Sequence, residues 1–147
     1  MRFKKKKQES EDNPYNKLME YALKLLSKRR LTSHALEMRL RKKNIGGEED
    51  IVQVLKRLEE YGYLDDLMYA KDFITDRLNF RPRGTMALKN ELYQKGLNKE
   101  DIDTVLGGME INEEKIAKDL IERKRQSIKR YSLAKQKQKM VLYLKSK

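Results

Sequence analysis

Apolar residues recur at intervals of three and four along most of the chain, the spacing that lines one face of an α-helix. Leu18, Met19, Ala22, Leu25 and Leu26 mark a first amphipathic helix from Pro14 to about Lys28. A second opens near Ser33, a residue type suited to an N-cap, and carries Leu36 and Leu40 inward before "NIGG" ends it. The third, "EEDIVQVLKRLEEY", begins with three acids, which the positive end of a helix dipole favours, and stops at Gly62. Only two prolines occur, Pro14 and Pro82, both at expected breaks. A sheet core is not expected.

The same order then returns. "AKDFITDR" from Ala70 and "AKDLIERK" from Ala117 nearly superimpose, and "ALKLLSKR" from Ala22 is a looser copy, with the alanines 48 and 47 residues apart. "ALEMRLRKKNI" from Ala35 matches "ALKNELYQKGL" from Ala87 at an offset of 52, and "DIVQVL" from Asp50 matches "DIDTVL" from Asp101 at 51. A period of about 50 residues with three helices per unit predicts an all-α, elongated array of tandem three-helix, helix-turn-helix-like modules. Module 1 is expected over 14–64, module 2 over 65–111, and module 3 over 112–147 with its first two helices only. Residues 1–13 are charged, lack an apolar period and read as a flexible basic tail. In the incomplete third module, Leu133, Met140, Val141 and Leu144 share a stripe that a missing third helix would leave uncovered, open to dimerisation.

Charge narrows the partner. The 147 residues hold 35 Lys+Arg against 23 Asp+Glu, a net +12, which implies an acidic partner. Residues 28–43 hold seven bases and one acid, whereas 48–66 hold two bases and seven acids. Residues 123–147 hold ten bases and no acid, more than solubility alone requires. The loop "NFRPRG" is expected to present Arg81 and Arg83 outward around Pro82. The candidate partner- and DNA-binding bases are Arg29, Arg30, Arg39, Lys42, Lys43, Arg81, Arg83, Arg123, Arg125, Lys129 and Arg130. The tyrosines at helical spacing read mostly as core or joint residues, with at most one or two free to stack on bases.

Candidate chemistry is sparse. With no cysteine and His34 as the only histidine, disulfides, cysteine zinc sites and cysteine nucleophiles are excluded. The acid pairs at Asp65-Asp66, Glu48 to Asp50 and Asn112 to Glu114 all fall where a helix begins, so capping is the expected role rather than a catalytic dyad. Gly46-Gly47 and Gly107-Gly108 lack the following lysine and hydroxyl residue of a phosphate loop. No catalytic residue, metal site or cofactor is expected. No apolar run of membrane-spanning length exists, and the first residues lack the apolar segment of a signal peptide, so a cytoplasmic protein is expected. In "YGYLDD", Gly62 is expected to end one module, Tyr63 and Leu64 to pack across the joint, and Asp65-Asp66 to start the next helix.

The stretches "ALKLLSKRRLTSHALEMRLRKKNI", "VLKRLEEYGYLDDLMYAKDFITDRL" and "RGTMALKNELYQKGL" resemble the RecX regulatory proteins, which modulate the bacterial recombinase RecA. The resemblance covers about Tyr21 to Lys147. It implies a regulator in the groove of the RecA–DNA filament, limiting its extension, ATPase and strand exchange; a non-enzymatic monomer is expected. Weak, salt-sensitive binding to single- and double-stranded DNA is implied as well, with no membrane partner. On that resemblance Tyr61, Gly62, Tyr63, Leu64, Asp65 and Asp66 match the intermodule joint, Arg77 and Arg83-Gly84 an inter-helix basic loop, and Lys95-Gly96 a helix end. Family members usually complete the third module, whereas this chain stops at Lys147. The rival reading is a helix-turn-helix protein on double-stranded DNA, weakened by the acidic starts of the third helices, "EEDIVQVL" and "KEDIDTVL". An RNA-binding helical repeat is a further rival, for which no base-reading set recurs in each module.

Overall fold

The computed structural model describes residues 12–147, so most of the expected tail, residues 1–11, lies outside the described residues. Among the described residues there are eight α-helices and no strand. They are α1 Pro14–Lys28, α2 Ser33–Lys43, α3 Glu48–Glu60, α4 Asp66–Phe80, α5 Thr85–Gln94, α6 Lys99–Gly107, α7 Glu113–Ile128 and α8 Leu133–Lys145.

The helix starts follow local chemistry. Asn13 caps α1 by accepting from the Tyr15 N–H, with Pro14 at the position where a missing N–H does no harm. At α2 the structure corrects the expected cap: Thr32, not Ser33, is the N-cap, its hydroxyl oxygen accepting from Ala35 N–H at 3.1 Å. Ser33 is instead the first helical residue. Glu48, Glu49 and Asp50 do fill the first turn of α3, and Asp50 reaches back to accept from the Gly47 N–H at 3.0 Å.

Contacts divide the chain into two units, one running to Tyr69 and including Lys95–Leu97, the other comprising Ala70–Gln94 and Asn98–Lys147. In the first, α1 packs on α2 and α3, and α2 on α3. Leu18, Ala22, Leu36, Leu40, Val54 and Leu58 are fully buried there, joined by Leu31, Ile51 and Leu64. Each fully buried leucine contributes roughly 1.5–3 kcal/mol relative to exposure, so this small core has a clear centre. In the second unit α5 packs on α6 and α7 on α8. Its buried residues include Ala70, Ile74, Leu88, Leu92, Ile102, Leu120 and Ile128, and α8 buries none.

Gly62 and Gly96 hold left-handed backbone conformations that favour glycine. Gly62 has φ 77° and ends α3 in a Schellman turn, its N–H bonding Glu59 C=O while Tyr63 N–H bonds Leu58 C=O. Gly96 has φ 87°, and a Cβ there would collide with the imidazole of His34. That contact is the observed use of the single histidine.

Candidate interaction surface

Four acids at the helix starts, Asp50, Asp65, Asp66 and Glu113, accept from backbone N–H groups, and two of them do more than sequence position suggests. Asp65 accepts from Met68 N–H at 3.0 Å, satisfying one of the orphan donors of α4. Asp66, the first residue of α4, instead reaches α2, where its carboxylate accepts from Ser33 N–H at 2.9 Å. The pattern repeats in the second unit. Asn112 caps α7 through Lys115 N–H at 2.9 Å, and the next residue, Glu113, accepts from Thr85 N–H at the start of α5 at 3.0 Å. Hydrogen bonds from the Thr85 side chain, then its backbone N–H, hold the Glu113 carboxyl below its ordinary value. Each pair therefore caps two helices, one local and one distant.

Around Gly62 the side chains part company. Leu64 is buried in the first core, whereas Tyr61 and Tyr63 are each 59% exposed. The Schellman turn directs Tyr63 outward. Arg57 stacks on the Tyr61 ring, 4.5 Å from its centroid, and pairs with Glu60 at 3.2 Å.

At the loop between α4 and α5 the two expected arginines separate. Arg81 is exposed, while Pro82 is buried. Arg83 turns in toward Glu91, with Nη1 2.6 Å from Oε1, and Arg77 donates from Nε to the other oxygen at 2.9 Å. Arg77 also lies over the Phe73 ring at 4.7 Å. The Glu91 side chain is only 16% exposed, and two guanidiniums are what make a carboxylate at that depth tolerable. The expectation that both Arg81 and Arg83 face outward thus holds for Arg81 alone.

On the first basic stretch Arg29, Arg30, Lys42 and Lys43 are exposed and Arg39 is half-buried. Lys43 lies over the Tyr21 ring at 5.0 Å. Arg41, between them in sequence, is occupied by Glu37 at 2.7 Å and Glu48 at 2.9 Å. The acidic start of α3 therefore neutralises part of the basic end of α2.

The α7–α8 hairpin is different in kind. Arg123, Arg125, Lys129 and Arg130 are exposed, and the nearest acid to them is Glu122, 3.8 Å from Arg125. Arg130, Lys135 and Lys139 surround the Tyr131 ring at 5.0, 5.4 and 4.5 Å, and Arg130 donates to the Tyr131 hydroxyl at 3.0 Å. Lys124 and Lys147 flank Tyr143 in the same way, at 5.0 and 5.3 Å. Ring faces are here the local substitute for carboxylates. The Arg130 hydrogen bond and charge, then Lys139 and Lys135, pull the Tyr131 hydroxyl below its ordinary value. The sequence reading did not single out Lys124, Lys135 and Lys139. Their signal is Tyr131, Lys135 and Lys139 at successive steps of four.

Among the described residues no group of three or more His, Cys, Asp or Glu side chains is arranged to hold a metal ion. No described helix is long and apolar enough to cross a membrane.

Fold and surface together define a class: a helical protein of repeated, mutually capped short helices carrying polycationic faces. Residues 65–106 match the family model described as RecX, second three-helix domain. The chain is 30% identical over 129 residues to the regulatory protein RecX of Chlorobaculum tepidum, covering 88% of this chain and 78% of that relative. It is 31% identical over 132 residues to the regulatory protein RecX of Leuconostoc mesenteroides, covering 89% of this chain but 49% of that relative. The chain belongs to the RecX family. It spans between about half and two thirds of the length of the relatives from Leuconostoc mesenteroides and Chlorobium phaeobacteroides, 49% and 62%. The crystal structure of RecX from Lactobacillus salivarius has the same fold, with a TM-score of 0.77 at 21% identity over 91% of this chain and 87% of that one.

Proposed function

We propose that this chain is a non-enzymatic, cytoplasmic regulator of the RecA recombinase that binds as a monomer in the groove of the RecA–DNA filament. There it limits filament extension, ATPase activity and strand exchange, with accessory, salt-sensitive binding to single- and double-stranded DNA. Family membership supports the regulatory role. The observation that carries the contact chemistry is the α7–α8 hairpin, where residues 123–147 hold ten bases and no acid. A helix pair that packs its cations on tyrosine rings repels itself, and an acidic protein groove or a row of phosphates relieves that repulsion. Several modest contacts to adjacent protomers add, and a chain bound across them opposes the subunit exchange that filament growth requires.

Cosedimentation with preformed recombinase filaments, run beside bare duplex and single-stranded DNA across a salt series, tests this reading. Filament is expected to outcompete bare DNA at physiological salt, and equal competition by bare DNA refutes the reading. Reversing Arg123, Arg125, Lys129 and Arg130 together is expected to abolish inhibition while leaving the helical circular dichroism unchanged. All four side chains are exposed and none belongs to the buried set.

A further inference from the structure

Two cavities meet at Tyr63. The larger, about 560 Å³, is open and lined by Tyr15, Met19, Leu23, Arg57, Tyr61 and Tyr63 among others. The smaller, about 250 Å³, is lined by Arg30, Leu31, Tyr63, Asp65, Met68 and Tyr69 beside the Gly62 turn. Its volume lies below the roughly 300–1,000 Å³ of sites for drug-sized ligands, which suits one planar ring system. Two tyrosines and two apolar side chains line it together with the Arg30 guanidinium. Lys28, Arg29 and Arg30 form an exposed run of three cations leading up to it. Asp65 is the one carboxylate in the lining, and its Oδ1 is already engaged by Met68 N–H.

Exposed tyrosine is common, but a ring 59% exposed that walls two cavities, next to a run of cations, has the components of a base-stacking platform beside a phosphate track. We infer that the smaller cavity takes one unstacked base of a single-stranded nucleic acid against Tyr63, with the adjoining phosphates on Arg29 and Arg30. This inference rests on the nucleic-acid part of the function proposed above and adds a discrimination to it. A duplex keeps its base faces stacked internally and cannot use the cavity, so Tyr63 distinguishes single strands from duplex whereas the basic runs do not. A protein segment in the same cavity is the competing occupant, and the flanking cations and the small ring-lined volume favour the base.

Fluorescence anisotropy with the full chain tests it, using a mixed-sequence single-stranded oligonucleotide and its duplex at fixed salt, for the wild type, Tyr63→Ala and Tyr63→Phe. Tyr63→Ala is expected to weaken single-strand binding by about tenfold, the scale of one lost base stack. Tyr63→Phe is expected to bind as the wild type does, because the ring and not the hydroxyl is used, and duplex affinity is expected to stay unchanged in both. The inference is overturned if Tyr63→Ala leaves single-strand affinity intact or lowers single-strand and duplex affinity equally. It is also overturned if that variant keeps oligonucleotide binding but loses filament binding, which assigns the cavity to a protein segment. Failure of filament regulation itself leaves this oligonucleotide measurement standing, so the two readings fail separately.

Discussion

In the first three helices the apolar stripes close on one another, whereas in the α7–α8 hairpin the stripe of α8 stays open. Leu18, Leu36, Leu40 and Leu58 are wholly buried, but Leu133 is 84% exposed, Leu142 61% and Val141 45%. The repeated alanine makes the point at one position: Ala22 and Ala70 are fully buried, and Ala117, its third copy, is exposed. The electrostatics diverge in parallel. The first unit sets Arg41 between two glutamates, while the hairpin sets Arg130, Lys135 and Lys139 around a tyrosine ring. Periodicity identifies which face of a helix is apolar, but burial depends on whether another helix arrives to cover it.

The sharpest way to break the comparison is to truncate one leucine on each side. Leu58→Ala, at a fully buried site in the first core, is expected to cost about 2–5 kcal/mol in urea unfolding. Leu142→Ala, at an exposed site on α8, is expected to stay within about 0.5 kcal/mol. Equal losses would mean the hairpin is buried in solution and the contrast is void. At the next scale down the two regions should agree: Asp65→Ala and Asn112→Ala each remove one cap and are each expected to cost about 1 kcal/mol by the same measurement.

A smaller effect separates them again through pH. Glu113 is held below its ordinary value of 4.5, so its contribution is fully present above that pH and is lost as the pH falls through the lowered value. Glu113→Gln is expected to flatten that acid limb of stability against pH, and an unchanged limb would remove the cross-cap from the account. The smallest effect is spectroscopic. Tyr131 should ionise below the ordinary 10.0 in an ultraviolet absorbance titration, and Arg130→Met should move it back up.

Much of the fold was legible in the sequence because its signals are local. The boundaries of α1 and α3 follow from apolar spacing, Gly62 and the acidic first turn, and Asp65 reads as a cap from its place before a periodic run. What escaped is set by residues distant in sequence. Thr32 holds Lys95 C=O through its hydroxyl at 2.8 Å across 63 residues, and Asp66 finds Ser33 across 33. Arg83 was read as outward because loop arginines usually are, and nothing local reveals that Glu91 lies in reach. The aligned pairs Asp65-Asp66 and Asn112-Glu113 did hold the cross-cap in view. Seeing it required knowing where α2 and α5 begin in space.

The paired caps also bear on how such a chain can grow. Each second acid completes a helix belonging to the segment before it, so a duplicated stretch of gene arrives already carrying the group its predecessor's middle helix needs. Its own middle helix offers the same vacancy, Ser33 N–H in one copy and Thr85 N–H in the next. Lengthening by repetition then requires no new capping group at the seam.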